Sequence, residues 1–247
     1  MKSGGVFITG TDTGVGKTVV AATLLLLLRR SGIDAVPMKP VQTGCEKLGA
    51  EWIAPDIEFA LSVAGLDASC RDEMGMMCPY RFEPACSPHL AAERSGRTIE
   101  VDHILDCFQK LAGRHKMVVV EGAGGVLVPV AENVMMVDLM VHLGLPVILV
   151  ARPGLGTINH TLLSLRGLND AGLNVLGVIF NEIEAGSHGY IEQDNCETIR
   201  RLGKTGVLGH MPFIADIGNE ADRTEAFLSV CAPGLASLLA VVRSIAL

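Results

Sequence analysis

The sequence predicts a doubly wound α/β domain with a mostly parallel sheet, spanning 1–247. Three observations predict it: short apolar runs rich in β-branched residues recur, helical stretches separate them, and a Gly-Lys-Thr step follows the first. The runs are Gly5–Thr9, Ala35–Met38, Met117–Val120, Pro146–Ala151, Val175–Phe180 and Val207–Met211. Their length and composition suit strands covered on both faces. Between them the pattern predicts helices at Lys17–Arg30 (stopped by Gly32), Asp56–Ala64, Pro88–Arg94, Val101–Ala112, Met135–His142, Thr157–Ala171 and Ile191–Leu202, with a last one at Pro233–Ile245. The segment Cys70–Pro88, with Pro79, Pro84 and Pro88, reads as an ordered insertion and a binding loop rather than a boundary.

Composition narrows the classes. Of 247 residues 49% are apolar and 19% charged, which excludes a disordered or fibrous chain. The net charge is −7 and no basic run exceeds the pairs Arg29–Arg30 and Arg200–Arg201, so the footprint of a nucleic-acid binder is missing. Seven scattered cysteines without a C-x-x-C step point to a reducing compartment. The apolar run Val19–Leu28 is shorter than the ~20 residues of a membrane span. "MKSGGVFITG" enters a strand directly, without the apolar region and cleavage site of a signal peptide. A cytoplasmic protein with no membrane partner is expected.

In a doubly wound sheet, ligands gather at the carboxyl ends of the strands. After the first strand comes "GTDTGVGKT", in which Thr13, Gly14, Val15, Gly16, Lys17 and Thr18 form a phosphate-binding loop. Glycines let successive N–H groups face phosphate oxygens, the helix N-terminus lies beneath them, the lysine reaches the outer phosphates and the hydroxyl suits Mg²⁺. The first glycine of the strict pattern is displaced by one position, to Gly10, because Thr11 stands where it would fall. After the second strand, "MKPVQTG" projects Lys39 from the strand end, either as an ordinary surface lysine or as a second cation for phosphoryl transfer. Asp56 in "APDIEFA" is either a first-turn acid favoured by the helix dipole or a ligand. "VVVEGAGG" ends the third strand on Glu121, which either caps the glycine turn or binds metal. Thr18, Asp56 and Glu121 suffice for Mg²⁺, which takes few protein oxygens beside substrate phosphates.

The fourth strand runs into "ARPGLGTINH", where Gly154 and Gly156 before a helix make either a second anion site or plain loop chemistry. Asn181 in "FNEI" either reads a base edge or bonds locally. No H-x-x-x-H or H-E-x-x-H spacing supports zinc, and no G-x-S-x-G elbow supports a nucleophilic serine. "SPHLAAE" reads as a helix start, with His89 facing a ligand.

Together these segments resemble the dethiobiotin synthetase family: "GTDTGVGKT", "KPVQTG", "PYRFEPACSPHLAA", "VEGAGGVLVP", "LPVILVARPGLGTINH" and "NE" at Asn181–Glu182, in the family's order from Val6 to Pro212. The family's loop itself carries the extra residue before G-K-T, so the displaced glycine marks a subtype. The resemblance implies a P-loop NTPase-like fold and a homodimer. It also implies an ATP-dependent ring closure of 7,8-diaminopelargonate with CO₂ to dethiobiotin, ADP and phosphate, by way of a carbamate and a carbamic-phosphoric anhydride.

The resemblance further assigns roles. Lys39 and Lys17 stabilise the transferring group, and Thr18, Asp56 and Glu121 bind Mg²⁺. Thr43, Gly124, Gly156, Thr157, Ile158 and Asn159 contact the substrate, the last four from across the dimer. The nucleotide falls to Thr13–Thr18, Asp56, Glu121, Gly122, Ala123, Gly124, Asn181, Glu182, Pro212, Phe213 and Ile214. Gly14 stands where some members carry glutamate, and "HMPFIADIGNEAD" follows the family pattern only loosely. A ParA/MinD-like ATPase switch is the alternative, but Thr11 stands where that group carries a second lysine. A cobyrinate-type ligase would need a glutaminase domain for which 247 residues leave no room.

Overall fold

The computed structural model describes residues 4–49, 51–66, 71–186, 189–214 and 220–246. Cys70 and residues 215–219, inside the loosely matching C-terminal segment, lie outside the described residues. The predicted runs form one sheet from β1 (Gly5–Gly10), β2 (Ala35–Met38), β3 (Met117–Gly125), β4 (Val147–Ala151), β5 (Val175–Asn181) and β6 (Val207–Met211). Every pairing is parallel, in the order β6-β5-β4-β1-β3-β2. The chain moves from β1 to β2 and β3 on one side, then crosses to β4 on the other. The switch point therefore lies at β1, between the carboxyl ends of β3 and β4.

The longer helices are α1 (Lys17–Arg30), α2 (Pro55–Ala64), α3 (Pro88–Arg94), α4 (Val101–Arg114), α5 (Met136–Leu143), α6 (Thr157–Asp170), α7 (Tyr190–Gly203), α8 (Glu220–Ala226) and α9 (Ala236–Ala246). Leu-rich α1 buries Val20, Leu24, Leu25 and Leu28 completely, each contributing about 1.5–3 kcal/mol relative to exposure. It packs on β2, β3, α2 and the C-terminal helices. Arg29 and Arg30 in its last turn complement the helix dipole. Burying α1 in this way fixes the loop that precedes it.

Several boundaries differ from the sequence reading. β3 continues to Gly125 because Gly10 pairs with Gly125 beyond a register shift. α2 starts at Pro55 with extended Ala54 as its cap, so Asp56 lies inside the first turn and does not open it. α5 starts at Met136, where the Asp138 carboxylate accepts the Met135 N–H at 2.7 Å. The last helix begins at Ala236 and follows α8, a π-turn at Phe227–Cys231 and a 3₁₀ turn at Ala232–Leu235 that accommodates Pro233. The stretch Arg223–Ile245 is long and apolar enough to cross a membrane by length and composition, with mean hydropathy 1.8. It nevertheless buries one stripe, Phe227, Cys231, Leu235, Leu238 and Val242, against α1 and β6, as a packed amphipathic helix does.

Three small ribbons escaped the sequence reading. Val41–Thr43 pairs with Tyr80–Phe82 in parallel, Glu46–Leu48 with Glu51–Ile53 and Pro129–Ala131 with Val134–Met135, both antiparallel. The first of them orders the Pro-rich segment: Tyr80–Phe82 runs beside the strand that carries Thr43, and Met77 O accepts the Lys39 N–H at 2.7 Å.

Candidate active site

The loop after β1 folds back on itself. A Cβ at Gly10 would lie 2.7 Å from Val15 Cγ2, so the displaced glycine makes the tight turn possible. Gly16 is left-handed (φ +93°), and a Cβ there would lie 2.1 Å from Asn181 Nδ2. Asn181, at the end of β5, donates Nδ2–H to Val15 O at 3.2 Å. It thereby clamps the loop from a strand two places away.

Lys17 is buried and donates to Asp12 O at 2.9 Å. Burial, followed by the nearby Lys39 charge, lowers its pKa to about 8. The Thr18 hydroxyl donates to Glu121 Oε1 at 2.8 Å. Lys39 reaches across from β2: its Nζ lies 2.6 Å from Asp56 Oδ2 and 2.7 Å from Glu121 Oε1, and 3.4 Å from Gly122 O. Burial alone would lower the Lys39 pKa, but the Glu121 and Asp56 charges outweigh it and hold the ammonium protonated. Burial, reinforced by the like charge of Asp56, raises Glu121 against the pull of Lys39 and Thr18.

These groups line one cavity of about 400 Å³ together with Thr13, Gly14, Gly16, Thr43, Ala123 and Gly124. Val19, Val41 and Gln42 also line it and were missed from sequence. Gln42 Oε1 accepts the Asp56 N–H at 3.4 Å, a contact between residues 14 apart that no local pattern announces. Val15 and Gly122 are buried behind the lining. Thr18 Oγ1, Asp56 and Glu121 offer hard oxygen donors of the kind Mg²⁺ takes. Lys39 touches both carboxylates, which brings them within reach of one cation. The donor set fits the metal.

Other predicted residues lie outside this cavity. Glu182 bonds His210 Nε2 at 2.8 Å and accepts the Phe213 N–H at 3.4 Å, so it braces the half-buried turn Pro212–Ile214 at the end of β6. Gly156 is left-handed (φ +89°) and opens α6, whose loop is held by Asn195 Nδ2 donating to Pro153 O at 2.9 Å. Thr157 is buried, with its hydroxyl 3.2 Å from that of Thr161, while Ile158 is half-buried and Asn159 exposed. Gly156 and Asn159 are the exposed residues among Gly156–Asn159. His89 belongs to a separate groove with Glu93, Arg97 and Glu132. Among the described residues one trio of metal-ligand type occurs, His103, Asp106 and Cys107, on one turn of α4. Asp106 is engaged by Lys110 at 2.6 Å, and none of the three lines the cavity that holds Lys17 and Lys39. Its H-x-x-D-C spacing lies outside the paired motifs sought in the sequence.

Next to α6 a groove of about 370 Å³ is lined by Thr11, Asp12, Val126, Val128, His160 and Ser164, among others. Three leucines stand exposed in this region: Leu127 (67%), Leu155 (87%) and Leu163 (61%).

Known proteins resemble this chain in sequence and in fold. A family described as an AAA domain matches residues 4–221. The chain is 41% identical over 214 residues to an ATP-dependent dethiobiotin synthetase of Halalkalibacterium halodurans, covering 85% of each protein. It is 39% identical over 217 residues to that of Anoxybacillus flavithermus, covering 87% of this chain and 95% of the relative. Among solved structures, the MinD cell division protein of Aquifex aeolicus superposes with a TM-score of 0.62 at 13% identity, over 98% of this chain and 97% of that one. That likeness extends to the fold alone. By sequence, the chain belongs to the ATP-dependent dethiobiotin synthetase family.

Proposed function

We propose that the protein uses ATP to close a cyclic urea on a vicinal diamine, 7,8-diaminopelargonate, with CO₂. The observation that carries this reading is Lys39. A second buried lysine, supplied by β2, enters the phosphate cavity within 2.7 Å of both carboxylates. That is the equipment needed where negative charge builds up on a carbamate and on a phosphoryl group together.

A Mg²⁺ ion held by Thr18, Asp56 and Glu121 would neutralise phosphate charge. The chain's own residues do the rest. N–H groups of Gly14–Thr18 cradle the phosphates, and Lys17 exchanges its bond with Asp12 O for a phosphate oxygen. One substrate amine adds to CO₂ and loses a proton, giving a carbamate beside Lys39 and Thr43. A carbamate oxygen takes the γ-phosphoryl group and ADP leaves. The second amine then attacks the carbonyl carbon, the C–O bond to phosphate breaks, and the urea closes with loss of a proton. No covalent enzyme intermediate is involved, so catalysis is positioning and charge stabilisation. Asn181, Glu182 and the turn Pro212–Ile214 hold the base.

The substrate carboxylate is received by the start of α6, Gly156–Asn159, from a second copy of the chain. Support for pairing comes from the position of this helix start outside the phosphate cavity and from exposed Leu127, Leu155 and Leu163. A switch of the MinD type is not favoured, because the likeness to MinD extends only to the fold. Phosphate release by the purified protein should require both bicarbonate and the diamine and yield a cyclic urea. ATP turnover indifferent to the diamine would contradict the reading.

A further inference from the structure

The oxygens that suit a divalent cation already serve an ammonium group. Lys39 Nζ lies 2.6 Å from Asp56 Oδ2 and 2.7 Å from Glu121 Oε1, and the side chains of Lys39 and Glu121 are 6% and 7% exposed. Glu121 Oε1 also accepts the Thr18 hydroxyl at 2.8 Å. One buried oxygen therefore links Lys39 to the second residue of α1. A dication bound by Thr18, Asp56 and Glu121 would have to share the two carboxylates with Lys39, and with so little solvent to screen them the two positive charges disfavour each other.

Resting on the metal assignment proposed above, we infer that Lys39 is a built-in competitor of the divalent cation. The lysine holds the carboxylate pair together, a dication replaces it, and the exchange turns the ammonium towards the part of the cavity lined by Val41, Thr43 and Gly124. The geometry leaves this movement open. The Lys39 main chain is pinned through Met77 O at 2.7 Å, but its flexible four-carbon stem can carry Nζ elsewhere. Asp56, with its side chain 26% exposed, is the more solvent-accessible of the two carboxylates. Two consequences follow. The protein takes up a dication weakly by itself, because the added negative charge of nucleotide phosphates is needed to favour the exchange. Lys39 then faces the carbamate position only after metal and nucleotide have bound, which orders the reaction.

The test is Mn²⁺ binding without nucleotide, followed by water-proton relaxation, for the wild type, Lys39→Met and Lys39→Arg. Removal of the competing charge should tighten Mn²⁺ binding by about tenfold or more in Lys39→Met, whereas Lys39→Arg, which keeps the charge, should stay as weak as the wild type. Equal or weaker binding by Lys39→Met would overturn the inference. If that variant unfolds in chelator because two carboxylates have lost their partner, its melting temperature against Mn²⁺ concentration decides the matter instead. A steep rise that the wild type lacks supports exchange, and parallel curves refute it. Wild-type Mn²⁺ binding with ADP separates the two layers. Its absence would remove the metal assignment and the inference with it. Its presence, with Lys39→Met unchanged in the nucleotide-free assay, would remove only the competitor role.

Discussion

The two ends of the sheet differ more in chemistry than in shape. At the amino ends of the strands lies a cavity of about 660 Å³, lined by Gly4, Gly144, Leu145, Pro146, Asn174 and Ser244, among others, with no charged side chain among the described residues of its lining. At the carboxyl ends the cavity is smaller, about 400 Å³, yet two lysines, an aspartate and a glutamate enter it. Size alone would select the end opposite to the proposed site. The parallel sheet explains the contrast: the carboxyl end collects the loop after β1, the tip of β2 and the acid of β3, whereas the amino end collects the turns that finish helices. Buried charge marks the proposed working end, because placing it there is costly unless partners or ligands compensate.

That contrast can be broken or sharpened by substitution. The largest effect should come from Glu121→Gln, which keeps the shape but removes a charge from the cation site: turnover should fall by about 10³-fold, measured by phosphate release. Lys39→Ala should retain nucleotide binding, followed by calorimetry, and lose about 10²-fold in turnover. Unchanged turnover would remove Lys39 from the reaction. Gly16→Ala places a Cβ 2.1 Å from Asn181 Nδ2 at a left-handed position; backbone strain of about 1–3 kcal/mol and lost nucleotide binding are expected, read by thermal melting and calorimetry.

Lys17 gives a pH dependence. Its folded pKa is lowered to about 8, so the free site loses this positive charge as pH rises through that value, while bound phosphate favours restoring it. Nucleotide affinity should therefore decline above pH 8, by up to about tenfold per unit, with proton uptake on binding in the same range. The same shift means that between about pH 8 and the ordinary lysine value the unfolded chain holds a proton the folded chain lacks. The contribution of Lys17 to stability consequently rises with pH across that window. The smallest effect belongs to the other end of the sheet: Asn174→Ala should leave turnover unchanged and shift stability by no more than about 0.5 kcal/mol.

The six strands and the loop Thr13–Thr18 were legible because both are local signals: β-branched runs between helical stretches, and glycines ahead of a lysine at a helix start. Glu121 was legible as an acid at the end of an apolar run. Lys39 and Asp56 were only half legible, since each fits an ordinary surface role until the fold places them 2.6 Å apart. The ribbon Val41–Thr43 with Tyr80–Phe82 joins segments far apart in sequence, so no period within either one predicts it. Thr157 illustrates the opposite limit. The family resemblance assigns it to the substrate, and helical geometry turns its hydroxyl inward to Thr161, an orientation that no local pattern announces.

The most direct test of the proposed reaction follows an oxygen atom. In a single turnover with ¹⁸O-labelled CO₂, Mg·ATP and the diamine, transfer of the γ-phosphoryl group to a carbamate oxygen predicts one ¹⁸O in each phosphate released, read by mass spectrometry before exchange with water. Phosphate carrying no label, with ATP consumed, would show that the phosphoryl group passes to water rather than to a carbonylated amine.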